Sequence, residues 1–531
     1  MARLGGFALL IVLCHCGGQR AGTPQPGNEL LIVGYDREPD TLNRFSTHIL
    51  EDTMICISDG LVVYDQSMEV VPVLAEVVPT PENGLVRVHA DGSMDVTWKL
   101  RRGVRWHDGT PFTSADVQFT VEAINDPSYN PESTEGFDRI DGVETPDEHT
   151  AIVHYREVYA PYQDQFWRGC LPRHVLEGKD LNRYPAYDRN PLGTGPYRVK
   201  EWRTGEYLLL ERNEDYWRGP PAIKQILFRF LPSSNTRMNQ LRSGEVHIVD
   251  NVPLDKVREA ELVDGLTVSR TMANSYAHVA LNLREVPAFD DIRVRQAVAH
   301  AINRKAIAED VLEGVVTVVD SVIQPPSWAF NPEVQFYNYD PEKARSLLLE
   351  AGWADSDGDG VVDKDGKSLS FIGTTRSGHA EWEKVLQVLQ AQLRDVGIQL
   401  EIRNYEPTLL GELWFGGKLQ FFLSAWTLPA DPEITLFFAA DRTPPRGRNI
   451  YFYENAELTE ILYGSDQTVD REERKEMLFR AQEIVARDIP LIPLYNRTIV
   501  SAFPRSLRNV KPNPTNAGLF WNVHEWELDS R

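Results

Sequence analysis

Asp355, Asp357 and Asp359 alternate with Ser356 and Gly358 in a run that continues through Gly360 to Asp363. The spacing places carboxylates at positions 1, 3, 5 and 9 of an EF-hand-like loop, with the required glycine at position 6. Position 12, where the loop needs a bidentate glutamate, is Gly366. Calcium is therefore the one cofactor the sequence raises, and an acidic surface turn explains the same residues without an ion. Trp426 and Asp431 offer a different chemistry, a flat indole face for stacking and a carboxylate for an ammonium. Packing of Trp426 in a core, and a turn or cap role for Asp431 before Pro432, are the structural alternatives. Arg376, just ahead of a helical pattern, could present its guanidinium to a ligand carboxylate or stand on the surface.

Catalytic signatures are missing. The chain has 12 histidines, but the nearest approach to a metalloprotease motif, His524-Glu525-Trp-Glu-Leu, lacks the second histidine. There is no G-x-S-x-G, no Walker A loop and no C-x-x-C. The 531 residues carry a formal charge of −23, with 42% apolar and 25% charged residues. These are globular values, and the length suggests two or three domains. An acidic chain lacks the basic footprint that nucleic acid or an anionic membrane surface requires.

The first residues read as an address. Arg3 precedes the apolar run Leu4 to Leu13, which is too short to span a bilayer and suits the h-region of a secretory signal. It ends in Leu13-Cys14-His15-Cys16-Gly17-Gly18, which looks like a bacterial lipobox. Cys16 is the preferred lipidation site and Cys14 the alternative; a cleaved signal with incidental cysteines is the plainer reading. Residues 1–16 are thus expected to be a signal peptide ending at the modified cysteine, and the polar, Gly/Pro-rich residues 17–28 a tether. Cys56 and Cys170 remain, either as a pair in an oxidising compartment or as separate buried thiols.

The elements that must hold these groups alternate between strands and helices, which implies α/β lobes. Val96, Trp98 and Leu100 alternate as in a strand, and His107-Asp108-Gly109-Thr110-Pro111 is a turn. Thr113 then stands as N-cap three residues before Asp116, with Val117, Val121 and Ile124 on one helical face. Further helices are expected at 235–243, 291–302, after Asp340-Pro341, from Trp382 to Val396, and around Met477 to Val485. Strands are expected at 30–35, 207–212, 226–231, 279–283, 398–402 and 489–495. No internal repeat is present.

The wording of several of these segments resembles the family 5 extracellular solute-binding proteins, receptors of ABC importers for peptides, nickel and oligosaccharides. The segment from Trp98 to Ile124 is similar to the family signature. So are Gly193-Thr194-Gly195-Pro196-Tyr197, the run NEDYWRG from Asn213, and LRSGEVHI from Leu241 with His247 where aspartate is usual. Asn282 with the block from Asp291 to Asn303, and Trp521 with Trp526, continue the resemblance in one order from about Leu31 to the end.

The resemblance implies an α/β, two-lobe periplasmic-binding-protein-like fold of type II, with an extra subdomain in lobe I, hinged by two crossings. Lobe I would comprise residues 29–276 and 497–531, with 61–189 as the extra subdomain, and lobe II residues 277–496. The crossings are expected near Ala277–Leu281 and Leu494–Arg497. The implied function is binding rather than catalysis: capture of a peptide-like or other small polar solute in an interlobe cleft and delivery to permease subunits. Trp426 and Asp431 would sit in the ligand-contacting loop, and Ser46, Thr47 and His48 align with a cleft segment of lobe I. An aspartate that grips the ligand ammonium in dipeptide receptors is replaced here by Leu428 or Pro429. The implied location is the bacterial periplasm or cell surface, as a lipid-anchored monomer without nucleic-acid partners. The alternative is an envelope lipoprotein with a hydrolytic or structural role, distinguished by substrate turnover or by the lack of ligand-induced compaction.

Overall fold

The alternation around Trp98 forms the strand Met94–Lys99, with Val96, Trp98 and Leu100 fully buried. In this computed structural model, which describes residues 30–46 and 52–529, that strand lies inside an antiparallel four-stranded sheet. Its order is Val86–Val88, Met94–Lys99, Thr150–Tyr155, Ile140–Asp147. Helix Ser114–Ile124 begins with a capping box, in which Asp116 accepts the Thr113 N–H at 3.0 Å. The same carboxylate accepts from Trp106 Nε1 and the Arg173 N–H, so one side chain ties strand, turn and helix together. This unit has its own core, reaching from Phe45 and Leu61 to Tyr187.

The rest of the chain is organised on one 11-stranded sheet. Reading across it, the strands are Gln399–Ile402, Ser370–Thr374, Phe421–Thr427, Leu266–Leu281, Leu491–Pro504, Ile248–Val249, Leu30–Tyr35, Gln225–Phe230, Tyr207–Arg212 and Tyr197–Arg203. Thr317–Val318 pairs with Leu491–Pro504 off this path. Two long antiparallel strands, Leu266–Leu281 and Leu491–Pro504, join the two halves of the sheet. Their pairing breaks register between Met272 and Tyr276, and again between Ala277 and His278. Before the break Val268 pairs with Ala502, beside the lobe I strands; after it Ser275–Leu281 pairs with Phe421–Thr427 of lobe II. Ala277–Leu281 therefore already lies in the lobe II half of the sheet.

The helices cover these strands. Asp291, Asp340 and Asp470 cap Ile292–Ala301, Pro341–Glu350 and Arg471–Asp488, each side chain accepting a first-turn N–H. In lobe II one core gathers around Val298, Leu386 and Phe421, and a second, aromatic one around Tyr276, Trp426 and Tyr451. Cys56 and Cys170 are both free and buried. No helix among the described residues is long and apolar enough to cross a membrane.

Candidate functional site

Several family-like motifs converge on one short segment, Ile57 to Gly60. Gly193 and Gly195 lie so close to it that a Cβ at Gly193 would stand 2.0 Å from the Ile57 carbonyl oxygen. His107 binds this turn from the other side: its Nδ1 accepts from the Gly193 N–H at 3.3 Å, and Nε2 lies 3.0 Å from the Gly195 carbonyl. Burial lowers the His107 pKa to about 4, so the ring is neutral. Asp59 accepts from Trp217 Nε1 at 2.9 Å and the Tyr216 hydroxyl at 3.3 Å. His247 is likewise spent on the fold, its Nδ1 accepting the Ile32 N–H at 3.0 Å. These contacts tie the motif residues into a frame around Asp59.

A cavity of about 360 Å³ lies between the lobes. Lobe I contributes the 132–137 segment and the 159–168 turn, lobe II the segment from Thr427 to Phe437, and the C-terminal stretch Thr515 to Ala517 closes a third side. Phe45, Phe137, Tyr159, Trp167 and Phe437 supply aromatic surface, while Glu132, Glu135, Asp164, Arg168, Glu433 and Arg448 supply charge. Aromatic walls with a few convergent polar groups are what a small-ligand site requires, and the volume falls in the usual range of about 300–1,000 Å³.

The lobes meet beside this cavity. Tyr64 and Met68 pack against Ala430, and Arg471 pairs with Glu69 at 3.1 Å; within lobe I, Asn513 Nδ2 donates to the Tyr64 carbonyl at 2.8 Å. Tyr64 also donates its hydroxyl to Asp164. Asp431 is held by a bidentate pair with Arg474 at 2.5 and 2.6 Å. Burial first, then the Asp431 charge, raises the Asp164 pKa; burial first, then Glu135, holds Glu433 well above the usual carboxylate range.

The residues singled out from sequence are dispersed. Trp426 is 5% exposed in the lobe II core, stacked on His278 with ring centroids 5.5 Å apart and donating Nε1 to the Tyr451 hydroxyl at 2.7 Å. Its indole is not on the cavity wall, because period-2 alternation turns Trp426 inward and sends Thr427 to the cavity. Asp431 is near the cavity but engaged by Arg474. Arg376 is exposed, bridged to Tyr405 and away from the cavity lining. Ser46 Oγ lies 2.8 Å from the Tyr129 hydroxyl and accepts from Asn43 Nδ2 at 2.9 Å. Thr47, His48, Cys14 and Cys16 lie outside the described residues.

Asp355, Asp357 and Asp359 do converge, with one oxygen of each within 4.8 Å of the others, all exposed. Each also accepts a backbone N–H within the loop, from Gly358 and Gly360, Asp359, and Val361 respectively. Asp363 does not join them, because its Oδ2 accepts both the N–H and the hydroxyl of Ser356. The cavity residues Glu135, Asp164, Gln165, Glu433 and Arg448 were missed by sequence reasoning. Only Glu433, two residues beyond Asp431 in the same loop, had a nearby signal.

Two lobes joined by a pair of long strands, with a cavity between them, define a ligand-capturing binding protein. The chain belongs to the bacterial extracellular solute-binding proteins, family 5, whose model matches residues 69–443. It is 29% identical to the oligopeptide-binding protein AppA of Bacillus subtilis, over 98% of this chain and 97% of that protein. The structure of AppA in complex with a nonapeptide superposes with a TM-score of 0.78 at 27% identity, covering 94% of this chain and 99% of AppA. The glutathione-binding protein GsiB of Escherichia coli (strain K12) is 27% identical over 84% of this chain and 85% of its own length. NikZ from Campylobacter jejuni, in complex with Ni(L-His), superposes with a TM-score of 0.79 at 25% identity, over 95% of this chain and all (100%) of NikZ. The family consists of extracellular solute-binding proteins, and this chain is a substrate-binding protein of that family.

Proposed function

We propose that the protein captures a short peptide in the interlobe cavity, closes over it and hands it to the permease as a monomeric, lipid-anchored receptor. The observation that carries this reading is the 360 Å³ cavity walled by both lobes. The peptide-binding relative AppA, matched along nearly the whole chain, supports the ligand class. We place the hinge at the register break between Met272 and Tyr276 and opposite it at Asn496–Arg497, which moves the expected boundary after residue 276 back ahead of Tyr276, a member of the lobe II core. The chemistry is binding alone. Closure removes water, which strengthens polar contacts, and the ligand must favour the closed state because equal affinity for both states moves nothing. Micromolar affinity corresponds to about −8 kcal/mol. Native mass spectrometry of ligand carried through purification, with solution scattering before and after its removal, tests the reading. A bound peptide and a larger radius on its removal are expected; a turned-over substrate or an unchanged radius would overturn it.

The anchor follows from the cysteines at the end of the signal-like run. Replacing both Cys14 and Cys16 with serine is expected to release the protein from membranes into the soluble fraction; unchanged membrane association would refute lipidation there. The loop of Asp355, Asp357 and Asp359 is proposed as a weak calcium site, since Asp363 and Gly366 supply no further ligand. Chelator should lower the melting temperature of the wild type and not of Asp357→Ala. Tenfold saturation is worth about 1.4 kcal/mol. Identical melting of the two proteins with and without chelator would leave the loop as a turn.

A further inference from the structure

A second cavity, of about 270 Å³, is lined by lobe I alone and shares only Trp167 with the interlobe one. Its apolar wall is Val63, Val71, Val73 and the Trp167 ring. Its polar wall carries Asp59 and Arg218, with Lys511, His524 and Glu525 beside them. Lys511 and Glu525 satisfy one another at 2.7 Å. Asp65, also on the wall, accepts the Ser67 and Glu69 N–H groups. Asp59 and Arg218 make no ion pair among the described residues, although the charge of Arg218 reaches Asp59. The Arg218 guanidinium donates Nη1 to His524 Nε2 at 2.8 Å. Burial lowers the pKa of that ring to about 4, so this partner is neutral. Arg44, the other cation near Asp59, donates instead to the Ser58 carbonyl at 2.8 Å and lies over the Trp167 ring. Asp59 accepts only from Trp217 Nε1 and the Tyr216 hydroxyl among the described residues, whereas a carboxylate offers about four lone-pair sites. Burial raises its pKa to about 6, which leaves it ionised at neutral pH.

We infer that this lobe I cavity binds a free amino acid with an aliphatic side chain, its carboxylate on Arg218, its ammonium on Asp59 and its side chain against the valines and Trp167. The inference goes beyond the reading of the interlobe cavity and does not depend on it. Two opposite charges stand on one wall and leave each other unpaired. A charge without a partner on a partly buried wall is unfavourable until one arrives. An amino acid carries its carboxylate and ammonium one carbon apart, so a single small molecule can meet both. The guanidinium suits the carboxylate, which it can hold by two parallel N–H···O bonds. A simple anion would leave Asp59 unpaired, and a neutral sugar would leave both groups unpaired. The volume lies just under the usual lower bound of about 300 Å³ for ligand pockets, which suits one residue rather than a peptide.

The test is calorimetric titration of the full chain, dialysed free of carried ligand, with leucine, leucinamide and 4-methylpentanoate. Leucinamide lacks the carboxylate and 4-methylpentanoate lacks the ammonium. The expected result is saturable binding of leucine, at least about tenfold tighter than either analogue, the size of one hydrogen bond to a charged group. Arg218→Gln should weaken leucine by a similar factor. Two further variants separate the cavities: Val63→Trp fills the lobe I cavity, and Thr427→Trp obstructs the interlobe one. Leucine binding should disappear in the first and persist in the second. If Val63→Trp does not fold, Arg218→Gln decides, because Arg218 is exposed and outside the core. No binding of leucine, equal binding of the two analogues, or undiminished binding by Arg218→Gln overturns the inference. Binding that is lost in Thr427→Trp and kept in Val63→Trp also overturns it, since leucine would then occupy the interlobe cavity.

Discussion

Trp426 and Glu433 belong to one strand and the loop that follows it, yet they face opposite environments. The indole of Trp426 is enclosed by His278, Trp414 and Phe437, with its one polar atom donated to Tyr451. Glu433 lies a few residues on, at the cavity, against a carboxylate of the other lobe. The first region is apolar and internally packed; the second is polar and charged. Residue type alone would reverse these roles, since an aromatic and an aspartate in one loop suggest stacking and charge for a ligand. The pleat decides otherwise: Trp426 pairs with Tyr276 and points into lobe II, so that Thr427 and the residues after Leu428 form the wall.

The sharpest way to break this comparison is Trp426→Ala. A core indole removed should cost about 3–5 kcal/mol of stability, read by urea unfolding, while peptide affinity of the protein that remains folded changes far less. A large loss of affinity at unchanged stability would return Trp426 to the ligand site. His278 tests the same core. Among the described residues neither ring nitrogen has a partner at hydrogen-bond geometry, and burial lowers its pKa to about 3 against a small opposing contribution from the Tyr276 backbone. The unfolded chain takes up a proton near pH 6.5 that the folded protein refuses. The stability present above that pH is therefore lost as pH falls toward 3, by up to about 1.4 kcal/mol per pH unit. His278→Phe should show a shallower acid limb in a stability-versus-pH series; an unchanged limb would mean that this ring is not excluded from protons.

The smallest expected effect belongs to the cavity side. Glu69 and Arg471 meet across the lobes, both side chains about half exposed at 57% and 50%. Such a pair is worth about 0.5 kcal/mol, so Arg471→Ala should weaken ligand affinity about twofold through the closed state. Melting of the ligand-free protein should barely change, and salt should erase the difference. A tenfold loss would make this contact a principal latch rather than a minor one.

The local elements were legible for local reasons. Capping residues such as Thr113, Asp291 and Asp340, and the helical stripes behind them, lie within a few positions of the structure they specify. The strand Leu266–Leu281 was legible only at its end, as 279–283. Its middle carries Ser269, Arg270, Thr271, Asn274 and Ser275, and residues 273–281 are buried on both faces, so no period-2 pattern shows. The frame around Asp59 was visible as motifs, but not as a frame, because Gly193, Asn213 and Trp217 reach it from a distant part of the chain.

The sequence by itself determined the family, the absence of catalytic signatures and most helix positions, since these depend on residue order and short-range periodicity. Only the tertiary structure decided which groups face a ligand. Glu135, Asp164 and Glu433 share no segment, motif or period, and they become neighbours because two long strands carry lobe II back against lobe I. Packing within lobe II, not closure, enclosed Trp426 in that lobe's core and engaged Asp431 with Arg474. A side chain's function here follows from the face it occupies and the charges it meets, quantities that exist only once the two lobes are packed.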